Sequence, residues 1–283
     1  MSLMLKKARA DGYAVGAFNI LDFNSMKAVI ESAEELDAPV ILQTSVKTVK
    51  FWGHDAVMSW TKHLAQKSAV PVALHLDHCT DIDYLRRCIE SGWSSVMIDA
   101  SSLPYEENIE LSQQAVEMAK PHGVSVEAEL GAIGGVEDDI SVADEDARLA
   151  DPKKAECFMC DIPLDCFAPA VGTAHGLYKG VPKIDFERLE TIAAQSDIPL
   201  ALHGGTGLAD DVFLKCISLG CAKVNISTQL KYSFIDSFVE YYSANKEEYN
   251  PLKLLGAQLD DLKLGIRKKI VLFGSAGKAS VGA

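Results

Sequence analysis

Eight short, apolar, β-rich runs recur along the chain, and they constrain its fold more than any other feature. Most are followed by a stretch with apolar residues at helical spacing, long enough for the helix of a βα unit. The runs are VGAFNI (15–20), VILQTS (40–45), VALHLD (72–77), SVMIDA (95–100), VSVEAEL (124–130), FAPAVGTA (167–174), IPLALHG (198–204) and AKVNIS (222–227). Eight such repeats in 283 residues predict one α/β domain, a (β/α)8 TIM barrel over residues 1–283. A doubly wound open sheet is the structural alternative.

Polar side chains gather at the carboxyl ends of these runs. In chain order, the ends carry Asn19, Ser45, Asp77 with His78, Asp99 with Ser101, Glu129, His175, His203 and Asn225. In (β/α)8 barrels the carboxyl ends of all the strands meet at one face, where active sites lie. We therefore expect one site, built from residues that are far apart in the sequence.

The densest group of these side chains closes the third run, in VPVALHLDHCTD (70–81), where His75, Asp77 and His78 fall within four positions. Strand alternation sends Asp77 and His78 to opposite faces unless the strand breaks there. Helix N-cap residues follow directly, so the sequence predicts a strand-to-helix turn at this point. A core histidine beside a capping aspartate is the alternative that this stretch leaves open by itself.

Three histidines at the ends of three different strands, His78, His175 and His203, predict an open metal site. Three imidazoles with one position left for water or substrate are the arrangement that catalytic zinc uses. Ligands from separate strands leave no local spacing motif. The prediction therefore depends on the barrel register.

Two glycine-rich segments, each containing one of these histidines, and one polar segment at the end of the last run predict phosphate binding. They are HGGTG (203–207), VNIST (224–228) and GTAHG (172–176). Glycines let backbone N–H groups turn toward an anion, and Ser227 and Thr228 add hydroxyl donors where a helix should begin. A metal, a phosphate site and the isolated acid Asp77 together indicate lyase or isomerase chemistry on a sugar phosphate.

Two stretches interrupt the regular repeat. Residues 131–166 form a long, acidic insertion that opens with glycines, which is typical of a lid loop at a barrel's active face. Residues from about 230 to 283 predict a C-terminal helical extension packed outside the barrel.

Composition excludes several classes of partner. A formal net charge of −13 without a basic block argues against nucleic acid and acidic membranes as partners. There is no apolar run of about 18 residues and no apolar signal-peptide core, which predicts a cytoplasmic protein.

Seven cysteines, an odd number, indicate reduced thiols. Cys157 and Cys160 have zinc-ligand spacing, but no second pair completes four ligands.

Six segments occur in the order and spacing of a known family. They are HLDHC, VMIDAS, VEAELGAIGGVEDD, GTAHG, HGGTG and KVNIST. On these motifs the chain resembles the class II, zinc-dependent ketose-bisphosphate aldolases, the fructose- and tagatose-bisphosphate aldolase family, over roughly residues 3–280. The resemblance implies reversible retro-aldol cleavage of fructose or tagatose 1,6-bisphosphate to dihydroxyacetone phosphate and an aldehyde such as glyceraldehyde 3-phosphate.

The resemblance also implies the metal ligands. His78, His175 and His203 take the places of the family's Zn²⁺ ligands, with one ion per subunit. Glu129 takes the place of a carboxylate near an alternative metal position. A Na⁺ or K⁺ ion beside the phosphate loops and a homodimer or homotetramer are further family features that we expect here.

Catalytic and binding roles follow from the same resemblance. Asp77 matches the aspartate that exchanges a proton with the hydroxyl on the substrate's fourth carbon. Glu137 matches the acid that protonates the remaining enediolate. The residues that match positions around the dihydroxyacetone phosphate fragment, its phosphate and the reacting centre are Asn19, Ser45, Gly176, Lys179, Gly204, Gly205, Thr206, Asn225 and Thr228.

The chain departs from the family where the far end of the substrate should bind. Many relatives carry Asp-Pro-Arg ahead of the last helix, whereas this chain has Asn-Pro-Leu (250–252). Lys47, Lys50 and Arg267 are candidate replacement cations. An aldolase acting on a ketose phosphate without the second phosphate is therefore an alternative, and a non-catalytic sugar-phosphate-binding barrel is another.

Two other enzyme classes fit the sequence less well. A Schiff-base aldolase needs a lysine that faces the barrel interior, and we expect Lys223 to begin its strand on the other face. A zinc hydrolase would use the same three histidines, but phosphate loops beside the metal fit amide hydrolysis poorly.

Overall fold

The computed structural model describes residues 1–137, 140–143, 147–176, 178, 180 and 182–280, and of residues 136, 137 and 140–142 it describes the backbone. The barrel strands are β1 (Val15–Asn19), β2 (Val40–Ser45), β3 (Val72–Cys79), β4 (Ser95–Ile98), β5 (Ser125–Leu130), β8 (Cys166–Pro169), β10 (Leu200–Leu202) and β11 (Cys221–Ile226). Three shorter strands are β6 (Gly134–Glu137), β7 (Ile140–Val142) and β9 (Ala174–His175). The eight barrel strands close in the order β1-β11-β10-β8-β5-β4-β3-β2, all parallel. The predicted (β/α)8 barrel is confirmed, and the open sheet is excluded.

The helices begin with one that precedes β1, and the later ones lie around the outside of the barrel. They are α1 (Ser2–Asp11), α2 (Phe23–Glu35), α3 (Val46–Trp52), α4 (His54–Ala65), α5 (Ile82–Glu90), α6 (Tyr105–Ala119), α7 (Pro152–Asp161), α8 (Phe186–Gln195), α9 (Asp210–Ser218), α10 (Thr228–Ala244) and α11 (Pro251–Leu272). No helix within the described ranges is both long and apolar enough to cross a membrane.

The barrel interior changes from apolar to polar along its axis. At the amino-terminal end, Met4, Leu5 and Ala8 of α1 pack against a cluster of mostly small inward-facing side chains, many of them alanines. Because alanine leaves space, the helix can close this end of the barrel. Toward the carboxyl end, strand register aligns Asn19 with Gln43, and Gln43 with His75. The polar layer therefore lies directly beneath the expected site.

The sixth strand differs from its prediction. The barrel strand β8 ends at Pro169, whose nitrogen carries no hydrogen to continue a ladder, and His175 lies on the separate strand β9. β9 joins β6 and β7 in a small sheet of order β7-β6-β9, with Gly135 paired to His175. A Cβ on Gly135 would lie 2.1 Å from the His175 carbonyl oxygen, so only glycine permits this pairing.

The predicted insertion and C-terminal extension each contain a regular barrel element. Within 131–166, β6 and β7 lie against His175, but α7 covers the barrel as an ordinary βα helix. Likewise α10 directly follows β11 and is that strand's helix, which leaves α11 as the added element. α11 packs on α2, where Lys263 forms ion pairs with Glu31 and Glu35.

Candidate functional site

Three histidine side chains converge at the carboxyl face of the barrel. One ring nitrogen from each of His78, His175 and His203 lies within 4.8 Å of the other two. The ring centroids of His78 lie 5.0 Å from His175 and 4.7 Å from His203. The structure thus brings together the three residues that the sequence predicts as metal ligands.

An irregular backbone at the end of β3 turns Asp77 and His78 toward the same site. His78 has φ +46°, an uncommon conformation for a residue with a side chain. The pairing of β3 with β4 also shifts register between Leu76 and Cys79. The strand therefore breaks where the sequence requires it, and the strain is located at a metal-ligand candidate, as is common at functional sites.

Two buried carboxylates orient the imidazoles. His78 Nδ1 lies 2.6 Å from Asp99 Oδ2, and His203 Nε2 lies 2.8 Å from Glu127 Oε1. If each outer nitrogen donates to its carboxylate, both inner nitrogens present lone pairs, and these nitrogens are 2.9 Å apart. Two facing lone pairs repel unless a proton or a metal ion lies between them. The donor set therefore fits a metal ion, with carboxylates fixing the tautomers of its ligands.

Burial and the neighbouring charges shift the pKa values of two of the histidines in opposite directions. Burial lowers the pKa of His78, but the Asp77 and Asp99 carboxylates outweigh burial and raise this pKa well above its usual value. Burial and the neighbouring His78 and His203 hold the pKa of His175 well below its usual value. His175 is therefore neutral near pH 7, the form that can bind a metal.

Glu129 stands beside the histidines at a second possible metal position. His78, Asp99 and Glu129 each offer a ligand atom within 4.8 Å of the others, and Glu129 Oε2 lies 3.7 Å from His203 Nδ1. Burial, and then the charge of Asp99, raise the pKa of Glu129 well above its usual value. A cation at this position would favour the ionised carboxylate.

Asp77 is held by amide groups from three strands. Gln43 Nε2 donates to Asp77 Oδ2 at 2.9 Å, and the Asn19 and Asn225 amides approach the carboxylate at 3.4 Å. Asp77 Oδ1 lies 4.0 Å from His78 Nε2. The carboxylate is buried, oriented and next to the metal position, which suits a general acid–base.

A buried ion pair under the site was not predicted from the sequence. Lys223 Nζ lies 3.0 Å from Glu127 Oε2 and donates to Asn225 Oδ1 at 2.7 Å, and neither Lys223 nor Glu127 is exposed. The expectation that Lys223 faces away from the interior is therefore wrong. Its ammonium is engaged with these two partners rather than presented to a carbonyl, so Lys223 gives no support to a Schiff-base mechanism.

This network links the metal ligands to Asp77. Glu127 bonds both His203 and Lys223, and Lys223 bonds Asn225, which reaches Asp77. Gln43, Glu127 and Lys223 each stand two positions before a predicted strand-end residue. Since side chains two apart share a face of a strand, period-two polar pairs were the signal that could have found them.

Replacing Lys223 with methionine is expected to lower the free energy of unfolding by about 3–5 kcal/mol, because it leaves Glu127 buried without its cation. Urea unfolding at pH 7 measures this loss. The control is Lys263→Met, which breaks a more exposed ion pair on α11 and should cost at most about 1 kcal/mol. Equal losses of unfolding free energy in the two variants would show that the buried ion pair stabilises the fold no more than the more exposed one.

The predicted phosphate residues lie on adjoining loops. Gly204 has φ +66°, and a Cβ there would lie 2.5 Å from the Ala174 carbonyl oxygen. Tyr178 Oη accepts from Ala174 N and donates to Gly204 O, which ties the GTAHG and HGGTG loops together. Thr206 Oγ1 accepts from Gln229 N in the first turn of α10. The HGGTG loop is thus anchored at the N-terminus of α10.

The N-terminus of α10 has the properties of an anion site. Ser227 is its N-cap residue but makes no side-chain cap bond, and Thr228 is the first helical residue. The buried hydroxyls of Ser227 and Thr173 have no hydrogen-bond partner among the described residues. Gly176 and Gly205 lie in the adjoining loops. Orphaned hydroxyls beside a helix N-terminus fit a phosphate.

The remaining predicted residues divide into two groups. Asn19 lies in the amide cluster around Asp77, and Ser45 Oγ accepts from Thr48 N and so caps α3. Lys179 lies outside the described residues, and so does the side chain of Glu137, whose backbone ends β6.

The candidate cations for the far end of the substrate lie in different places. Arg267 pairs with Glu35 on the outside of the barrel, so it does not supply a charge at the site. Lys50 stacks over the Tyr84 ring. Lys47 lines a cavity of about 470 Å³ beside the end of β1.

Comparison with known proteins gives a consistent result. The sequence model of the family described as "Fructose-bisphosphate aldolase class-II" matches residues 1–278. The chain is 41% identical over 283 residues to a fructose-bisphosphate aldolase of Geobacillus stearothermophilus, covering 99% of this chain and 98% of that protein. It is 38% identical over 299 aligned positions to a fructose-bisphosphate aldolase of Helicobacter pylori, covering 97% of each chain.

Solved structures show the same architecture. The crystal structure of the YdjI aldolase from Escherichia coli K12 matches with a TM-score of 0.87 and 32% identity, covering 98% of both chains. A putative fructose-1,6-bisphosphate aldolase from Coccidioides immitis matches with a TM-score of 0.89 and 26% identity, covering 99% of this chain and 97% of the other.

Proposed function

Because the chain belongs to the class II fructose-bisphosphate aldolase family, and is therefore a lyase of a metal-dependent family, we propose that its metal is zinc and its substrate a ketose 1,6-bisphosphate. Cleavage of fructose or tagatose 1,6-bisphosphate would give dihydroxyacetone phosphate and glyceraldehyde 3-phosphate. The observation that supports the proposal most directly is that three imidazoles and the buried carboxylate of Asp77 lie close together at one face of the barrel.

His78, His175 and His203 would hold the zinc ion, and Glu129 would serve its alternative position. An all-imidazole set suits zinc, and Asp99 and Glu127 keep the ring orientations. When bound, zinc would supply Lewis-acid polarisation of the substrate's carbonyl group.

Asp77 would remove the proton from the hydroxyl on the fourth carbon, so that the bond between the third and fourth carbons breaks. Its carboxylate is fixed by Gln43 and Asn225, which leaves little reorganisation for the proton transfer. Glu137 would return a proton to the three-carbon enediolate. Its place on β6, which pairs with the strand of His175, supports this role.

The phosphate of the dihydroxyacetone fragment would bind between the glycine loops and α10. The residues that we assign to this fragment are Asn19, Ser45, Gly176, Lys179, Gly204, Gly205, Thr206, Asn225, Ser227 and Thr228. Support comes from the orphaned Ser227 hydroxyl and the uncapped N-terminus of α10. A Na⁺ or K⁺ ion at these loops, a cytoplasmic location and a homodimer or homotetramer complete the proposal.

Cleavage of three substrates tests whether the protein recognises a phosphate on the sixth carbon of the sugar. They are fructose 1,6-bisphosphate, tagatose 1,6-bisphosphate and fructose 1-phosphate. We expect a bisphosphate to be cleaved with kcat/KM at least about tenfold above fructose 1-phosphate, because a charge-assisted contact contributes about 1.5–3 kcal/mol. A coupled assay of triose-phosphate release measures kcat/KM for each sugar.

The opposite ranking would favour the alternative, an aldolase for a ketose without the second phosphate. Leucine at position 252, where many relatives carry arginine, is the observation behind that alternative. Binding of all three sugars without any cleavage would instead indicate a non-catalytic barrel.

A further inference from the structure

Lys223 is a fully buried lysine that takes no part in the proposed chemistry. Its ammonium lies 3.1 Å and 3.0 Å from the two carboxylate oxygens of Glu127, and neither side chain has exposed surface. Replacing a buried ion pair with well-packed apolar residues is often neutral or stabilising. Stability alone therefore does not account for a lysine at this position, and its remaining contact indicates another role.

The remaining contact of Lys223 fixes the direction of the Asn225 amide. Lys223 Nζ donates to Asn225 Oδ1 at 2.7 Å. An ammonium group donates and never accepts, so the amide must turn its oxygen toward Lys223 and its nitrogen the other way. That nitrogen lies 3.4 Å from Asp77 Oδ1, to which it donates. Of the two amide orientations, Lys223 thus permits only the one that offers N–H to the carboxylate.

The same arrangement occurs on the other side of Asp77. Gln43 Nε2 donates to Asn19 Oδ1 at 2.8 Å, and Asn19 Nδ2 lies 3.4 Å from Asp77 Oδ2. Each asparagine therefore receives a hydrogen bond through its oxygen and directs its nitrogen at one oxygen of Asp77. Two buried donors, Gln43 and Lys223, thus orient the pair of amides that face the carboxylate.

We propose that Lys223 is a positioning residue for aldol cleavage and acts through Asn225. This role rests on the proposed function, in which Asp77 is the base and Asn225 lies beside the dihydroxyacetone phosphate fragment. Without the lysine donor, the amide is free to turn its oxygen toward the carboxylate, and two acceptors repel. Asp77 then leaves the position in which it meets the substrate's hydroxyl group.

The test variant replaces both members of the ion pair, as Lys223→Met with Glu127→Gln. It leaves no uncompensated charge in the barrel, so we expect it to fold. The glutamine oxygen can still accept from His203 Nε2, which keeps the orientation of this metal-ligand candidate. The glutamine nitrogen can take the place of Glu127 Oε2, 3.6 Å from His75 Nε2, which has no hydrogen-bond partner among the described residues. The variant therefore removes chiefly the donor to Asn225.

The paired variant is made both in the wild-type chain and in Asn225→Ala. In the wild-type chain we expect it to lower kcat for aldol cleavage at least about tenfold, as for a lost hydrogen bond to a charged group. In Asn225→Ala we expect less than about a twofold loss, because a residue that acts through another has no effect once the other is absent. An equal loss in both chains, or no loss in either, overturns the proposal.

Circular dichroism and metal content establish that each variant folds and holds its metal. If the paired variant does not fold, Lys223→Leu with Glu127→Gln takes its place. The control is Lys263→Met, which removes a lysine from α11 and should keep kcat within about twofold of the wild type. A loss of kcat in Lys263→Met equal to that in the paired variant also overturns the proposal.

The crystal structure of the paired variant gives a readout that does not depend on cleavage. We expect the Asn225 nitrogen to leave hydrogen-bond distance of Asp77 Oδ1. An Asn225 side chain that keeps this contact overturns the proposal. Displacement of Asn225 in the variant, together with a wild-type chain that cleaves no ketose phosphate, would contradict the proposed function and still support the positioning of Asn225 by Lys223.

Discussion

Replacing Asp77 with asparagine is expected to lower kcat for aldol cleavage by at least about 100-fold, the scale of a lost general acid–base. Asparagine has the shape of aspartate and can still accept from Gln43 through its carbonyl oxygen. It cannot take a proton from the substrate's hydroxyl group. The loss should therefore appear in kcat, while KM changes little and the metal content stays at that of the wild type.

The control for this variant is Asp81→Asn. Asp81 lies four residues further along and caps α5 through Asp83 N and Tyr84 N, a role that asparagine fills equally well. We expect its kcat to stay within about twofold of the wild type. Asp77→Asn with more than a tenth of the wild-type kcat and full metal occupancy would rule out Asp77 as the base.

Removal of the metal by a chelator is expected to lower the cleavage rate by at least about 10³-fold, and added Zn²⁺ should restore it. A bound metal ion supplies several kcal/mol of charge stabilisation to such reactions, and each 1.36 kcal/mol is a factor of ten in rate. The three imidazoles converge at the position where the metal would act, and His175 among them is neutral near pH 7 and so supplies no charge of its own.

The location of the metal is tested by His203→Ala, with His63→Ala as its control. His203 offers its inner nitrogen to the site, whereas His63 is exposed on α4. Elemental analysis after dialysis should find about one zinc per chain in the wild type and in His63→Ala, and markedly less in His203→Ala. Full zinc in His203→Ala, or full activity after chelation, would contradict the proposed site.

The fold follows from local patterns in the sequence. β-rich runs alternate with helical stretches, and each pattern depends on residues a few positions apart. That periodicity predicted all eight barrel strands, and the boundaries mostly agree within a few residues. The sixth strand is the exception, because Pro169 ends the barrel ladder before the apolar pattern ends.

The side chains under the site were harder to predict. Whether Lys223 faces inward depends on the stagger between β11 and its neighbours, which no local pattern specifies. The Lys223–Glu127 pair joins residues 96 positions apart. His175 likewise reaches the site on β9 through its pairing with β6, a contact that depends on the glycine at position 135.

The sequence by itself determined the barrel, the face that carries the site, the three histidines with Asp77, and the glycine loops, because strand ends and glycine turns are local features. The tertiary structure decided how these groups work together. It set the positive φ at His78 and the hydrogen bonds of Asp99 and Glu127 to His78 and His203. It also set the buried ion pair between Lys223 and Glu127. The carboxylate contacts and the ion pair join side chains from different strands, and His78 lies where the pairing of β3 with β4 shifts register. All three therefore depend on the register that the closed barrel fixes.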